Sequence, residues 1–85
     1  MQLPESLDVN AAEQLKADFL ARRGAPLALD ASRVERLGGL CLQVILSAAA
    51  TWADDGQAFS IADVSPSFED SARAMGAWDA PAQGA

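Results

Sequence analysis

From Leu37 to Ala53 the chain carries no charged residue, and that stretch opens on two glycines, Gly38 and Gly39. An uncharged run of this kind is either a helix with much of its surface buried or a membrane segment. The glycine pair, together with Gln43, Ser47 and Thr51, argues against the membrane. So does the length, which falls at the short end of the ~17–25 residues that a spanning helix needs. What remains is a helix entered through a glycine turn that closes an extended segment. Such a turn leaves backbone N–H groups without intrahelical partners and lets another group approach them closely, so function is expected at Leu37–Cys41.

Around the axis of that helix, Cys41, Leu42, Val44, Ile45, Leu46, Ala48, Ala49 and Trp52 spread over roughly 200°, wider than the ~100° stripe of an ordinary surface helix. The remaining strip, Gln43, Ser47, Ala50 and Thr51, is uncharged as well. Two readings fit, and they are compatible. The helix is central, wedged between a sheet and its neighbours, or part of the arc is an apolar patch offered to another protein.

Composition narrows the function. The chain has 85 residues, 12 acidic and 6 basic, with a net charge of −6, one Cys and no His. That is one small domain, able to bury only ~60–65% of its unfolded surface, so a protein interface is a plausible source of added stability. Cys41 cannot form an intramolecular disulfide, and without His or a second Cys there is no zinc-type ligand set, so neither metal nor cofactor is expected. The acidic balance disfavours nucleic acid, since Arg22-Arg23 and Arg33/Arg36 are only short basic spots. Met1-Gln2-Leu3-Pro4-Glu5 lacks the basic start and apolar run of a signal peptide, which makes the cytoplasm the expected compartment and direct membrane insertion unexpected.

Strand and helix signals alternate. A short first strand is expected around Leu3. Asp8 reads as the N-cap of a first helix in which Val9, Ala12, Leu15 and Phe19 share a face, with Gly24 as its stop. Pro26–Asp30 is a strand-length apolar run with Pro at its entry. The second helix should run to about Asp54-Asp55-Gly56, where the glycine suits a helix end but the acids oppose the helix dipole. Ala58–Ala62 is the next strand. Ser65 caps a third helix with Pro66 in its first turn and Phe68, Ala72 and Met75 on one face before Gly76. The expected fold class is α/β, a small open sheet with parallel crossovers and helices mainly on one face, over residues 1–78. Trp52 belongs to the core or its edge, Trp78 to a fold-back contact or an interface, and residues 79–85 to a disordered tail.

Leu29-Asp30-Ala31-Ser32-Arg33-Val34-Glu35-Arg36-Leu37, the small turn, Cys41-Leu42-Gln43-Val44-Ile45-Leu46, and Ile61-Ala62-Asp63-Val64-Ser65-Pro66-Ser67-Phe68 together resemble a STAS domain. The likeness covers about Pro26 to Gly76, and the first helix loosely. Such domains are shared by anti-sigma factor antagonists and the cytoplasmic parts of sulfate transporters. The wording around Cys41-Leu42-Gln43 is most similar to small stand-alone members that accompany bacterial chemotaxis genes. The family's turn reads roughly Asp, Ser or Thr, Ser or Ala, Gly, Leu, and a partner kinase phosphorylates the hydroxyl in switching members. The aligned positions here are Gly38, Gly39, Leu40, Cys41 and Leu42, so the phosphoacceptor-equivalent positions, Gly39 and Leu40, carry no hydroxyl. A phosphate at a helix N-terminus can toggle an interface only where an oxygen nucleophile exists to receive it. Ser32 before the turn and Ser47 two helical turns after it are poor substitutes.

The resemblance implies a non-enzymatic interaction module in signal transduction, docking a signalling kinase or chemotaxis component. The expected partner-binding residues are Arg36, Gly38, Gly39, Leu40, Gln43 and Ser47, and no catalytic residue is expected. A different class of function, an accessory subunit of a lipid or anion transporter, is the alternative, with a phosphorylatable anti-sigma antagonist as a third possibility. An open sheet edge beside an apolar helix also permits a homodimer. Enzymatic readings are weaker. Cys41 has no His as a base and reads as a small buried residue. Asp30, at a strand end, reads as a residue that orders the following loop. Gly38-Gly39 lacks the Lys and Ser or Thr of a phosphate loop, though Arg36 beside it leaves room for an anion.

Overall fold

The computed structural model describes residues 1–76, so the expectations for Trp78 and for the tail at 79–85 lie outside the described residues. Its elements in chain order are β1 (Ser6–Leu7), α1 (Ala12–Ala21), β2 (Leu27–Asp30), β3 (Arg36–Leu37), α2 (Gly39–Asp54), β4 (Phe59–Ala62) and α3 (Pro66–Ala74). The α/β alternation is as expected. β2 pairs in parallel with β4, Leu27 opposite Phe59 and Asp30 opposite Ala62. β1 pairs in parallel with β3, Ser6 opposite Arg36 and Leu7 opposite Leu37. Parallel neighbours need a crossover, and α1 and α2 supply it.

The two ladders meet at the N-terminus. Gln2 bridges to Asp30 in parallel, the Leu3 N–H donates to the Asp30 carbonyl at 2.9 Å, and the Asp30 N–H donates to the Met1 carbonyl at 2.8 Å. The strand expected around Leu3 is therefore a single bridge, and regular pairing begins only at Ser6. Pro4 has no N–H to give a ladder, which accounts for the interruption.

Period-two burial shows which face is covered. Leu27 and Leu29 are buried while Ala28 between them is exposed, and Phe59 and Ile61 are half-buried while Ser60 and Ala62 are exposed. The covered face meets the helices in one core, in which Leu3, Leu7, Leu29, Leu42, Ile45, Trp52 and Phe68 are nearly or wholly inaccessible.

The first helix starts later than expected. The Asp8 carboxylate accepts the N–H groups of Asn10 at 3.0 Å and Ala11 at 3.2 Å, forming a turn that precedes the helix, and Ala11 occupies the N-cap with no side-chain bond. A short carboxylate can satisfy nearby N–H groups in a turn as readily as at a cap. Val9 falls in that turn and is 67% exposed instead of lining the helix face. Ala12, Leu15 and Phe19 are buried as expected, and Gly24, at φ +99°, ends the segment in the left-handed region that glycine tolerates.

α3 follows its signals closely. The Ser65 hydroxyl accepts the Phe68 N–H at 3.0 Å and donates to the Val34 carbonyl at 2.6 Å, with Pro66 in the first turn. Phe68 and Ala72 are buried, while Met75 is 40% exposed.

Candidate interaction face on the second helix

The turn before α2 is built by a close approach within the protein. Gly38 is the N-cap in an extended conformation, its N–H donates to the Leu7 carbonyl at 2.8 Å, and a Cβ placed on it would lie 3.2 Å from that same oxygen. The group that the glycine admits is the backbone of β1. Gly39 is looser: a Cβ there would lie 3.7 Å from the Met75 sulfur, in ordinary contact. Among the described residues no side chain caps the α2 N-terminus.

Within α2 the wide apolar arc divides. Cys41, Leu42, Ile45, Ala48 and Trp52 are buried, and Val44, Leu46 and Ala49 are half-buried. Gly39, Leu40, Gln43, Ser47 and Ala50 are exposed. The first sequence reading thus holds, since α2 packs as the central helix and none of the arc's eight residues is exposed; what α2 leaves outside is Gly39, Leu40 and the separate uncharged strip of Gln43, Ser47 and Ala50. Leu40, 52% exposed, heads that strip. Gly39, Gln43 and Ser47 are spaced four residues apart and share one side of the helix. Gly38 is half-buried behind them. Arg36 stands apart, because Leu37 turns into the core and alternation sends Arg36 to the opposite face of β3.

The strip forms one wall of a groove of about 280 Å³. Gln43, Ser47 and Thr51 rise on the α2 side, and Lys16, Leu20 and Arg23 face them from α1. The floor is apolar and includes Phe19 and Trp52. Trp52 is held by a bond from its indole N–H to the Ala25 carbonyl at 2.8 Å, and its ring meets Phe19 and Phe59 at centroid distances of 6.2 and 5.8 Å. Lys16 and Leu20 were not among the residues expected at a site. The signal available for them was that Leu20, beside buried Phe19, is a large apolar residue outside the helix's buried face, and it is 60% exposed.

The residues that invite chemistry are structural. Cys41 is fully buried, its thiol donates to the Asp8 carbonyl at 3.1 Å, and burial followed by the Asp8 charge pushes its pKa up, away from a reactive thiolate. Asp30 accepts the Ser32 N–H at 2.9 Å and orders the loop after β2, and hydrogen bonding from Ser32 holds its carboxyl below the usual range. Among the described residues no cluster of His, Cys, Asp or Glu could hold a metal ion, and no helix is long and apolar enough to cross a membrane.

The arrangement is two short parallel sheets, where a single open sheet was expected, with a glycine-entered helix packed centrally, and residues 1–79 match the family model described as Mlab, STAS domain. The chain belongs to the STAS family. No curated protein and no solved structure gave a significant match. STAS domains are generally non-enzymatic binding modules. In this STAS domain the exposed positions at the start of α2 are Gly39 and Leu40, and neither has a hydroxyl.

Proposed function

We propose that this STAS domain is a non-enzymatic interaction module of bacterial signal transduction, of the chemotaxis or anti-sigma-antagonist kind, working in the cytoplasm. It docks a protein partner, a signalling kinase or chemotaxis component, through the 37–41 turn and the first half of α2. The observation that carries the reading is Leu40, a large apolar side chain left 52% exposed at the head of an uncharged strip. Gly39, Gln43 and Ser47 extend the contact without a charge to desolvate, which favours close packing of a partner. Docking through this face is constitutive, since Gly39 and Leu40 offer no oxygen for a phosphate.

The test is Leu40→Arg and Gln43→Arg in the full chain, with circular dichroism to show that each stays folded. Both positions are exposed, so a cation there is tolerated by the fold. Affinity capture from the native lysate should lose a signalling kinase or chemotaxis component with either variant. An unchanged set of captured proteins would move the interface elsewhere.

A second reading, an accessory subunit of a lipid or anion transporter, is favoured by the same missing hydroxyl, because a permanent subunit needs no switch. Co-purification of the wild-type chain with a transporter ATPase, and with no kinase, would select it.

A further inference from the structure

We infer that the groove between α1 and α2 receives an amphipathic helix with an acidic flank, supplied by the protein partner. This names the chemistry of the partner and rests on the docking reading above for one wall, Gln43 and Ser47. The first reason is charge. The chain has twice as many acidic as basic residues, yet the described residues lining this groove include Lys16 and Arg23 and no carboxylate. Arg23 is paired with Asp55, while Lys16, exposed on the rim, has no ion-pair partner among the described residues. A carboxylate on an incoming helix meets an unpaired cation there, beside an apolar floor and with no carboxylate among the described lining residues to repel it.

The second reason is shape. Lys16, Leu20 and Arg23 follow the four- and three-residue spacing of one helix ridge, and Gln43, Ser47 and Thr51 the four-residue spacing of the other. The Arg23–Asp55 pair joins the C-terminal end of α1 to that of α2, so the helices run in the same direction and the trough between their ridges is continuous. From Gln43 to Thr51 the wall rises about 12 Å, or roughly two helical turns. That length suits apolar side chains at i, i+4 and i+7 of a guest helix, seated on the floor over Trp52 and beside Leu20.

The experiment titrates the isotope-labelled full chain with two peptides of about 14 residues, both amphipathic with leucines on one face. One carries glutamates along the flank and the other carries lysines at the same positions. Amide shifts are expected at Lys16, Leu20, Ser47 and Thr51, with the acidic peptide bound about tenfold more tightly at low salt. Lys16→Glu, an exposed change, should reverse that preference while leaving the circular dichroism spectrum unchanged. Equal affinity for the two peptides, binding of neither, or shifts confined to Gly38–Leu40 would each overturn the groove. The last outcome would leave docking at the turn standing. Failure of Leu40→Arg to alter partner capture would remove the turn without touching the peptide result.

Discussion

The Arg23 guanidinium holds the Asp55 carboxylate through two bonds, Nε to one oxygen at 2.8 Å and Nη2 to the other at 3.1 Å. The pair lies at the ends of α1 and α2 and gives the acidic residue at the α2 C-cap a countercharge where the helix dipole opposes it.

A pH dependence follows from this pair and from Asp30. The hydrogen bond from Arg23 holds the Asp55 carboxyl below its usual range, and Ser32 does the same for Asp30. Both folded-state values lie below the unfolded ~3.9, so the unfolded chain binds more protons and stability rises with pH across that interval. The contribution is complete above the unfolded value and is lost as pH falls through the folded ones. Urea unfolding followed from neutral pH into the acid range should show this loss, and Asp55→Asn with Asp30→Asn should flatten it. Because Arg23 is exposed, the effect of Asp55→Asn should also shrink in salt.

The two glycines should respond in opposite ways to the same substitution. Gly38→Ala drives a Cβ to 3.2 Å from the Leu7 carbonyl, a backbone atom that must shift, and should cost about 1–3 kcal/mol. Gly39→Ala meets only the Met75 sulfur at 3.7 Å within the first turn of α2, and should be neutral or stabilising by up to ~1 kcal/mol. Denaturation midpoints of the two variants on either side of wild type would bear this out.

Trp52→Ala removes the indole at the meeting of α1, α2 and β4, and with it the bond to Ala25. The expected loss is about 3–5 kcal/mol, most of the stability a domain of this size has. Near-native thermal stability in this variant would mean that Phe19 and Phe59 close over the cavity.

Cys41 should be inert to an aromatic disulfide reagent in the folded chain, being fully buried and bonded to the Asp8 carbonyl. Its labelling rate should rise with denaturant in step with unfolding. Rapid labelling in buffer would contradict the buried placement.

Particular residues show how far the fold was legible beforehand. Ser65-Pro66 marked the start of α3 because a cap and a first-turn proline act within a few residues of chain. The ends of α1 and α2 were marked by Gly24 and Gly56, both in the left-handed region. The start of α1 was misplaced because Asp8 suits a turn as well as a cap. β3 was legible only as an extended segment, since two residues carry no periodicity of their own. At the site, the strip on α2 was visible from the missing charges, whereas its opposite wall on α1 was not.

By itself, then, the sequence determined the order of elements, the fold class and the absence of an acceptor oxygen at Gly39 and Leu40, all properties of residue type and short-range spacing. Tertiary structure decided which part of α2's apolar arc is covered, that Gly38 serves the approach of Leu7, and that Lys16 faces Ser47 across a groove. The physical reason is that periodicity marks which side of an element is apolar, while burial depends on what the chain brings there from tens of residues away, as Phe19 is brought to Trp52.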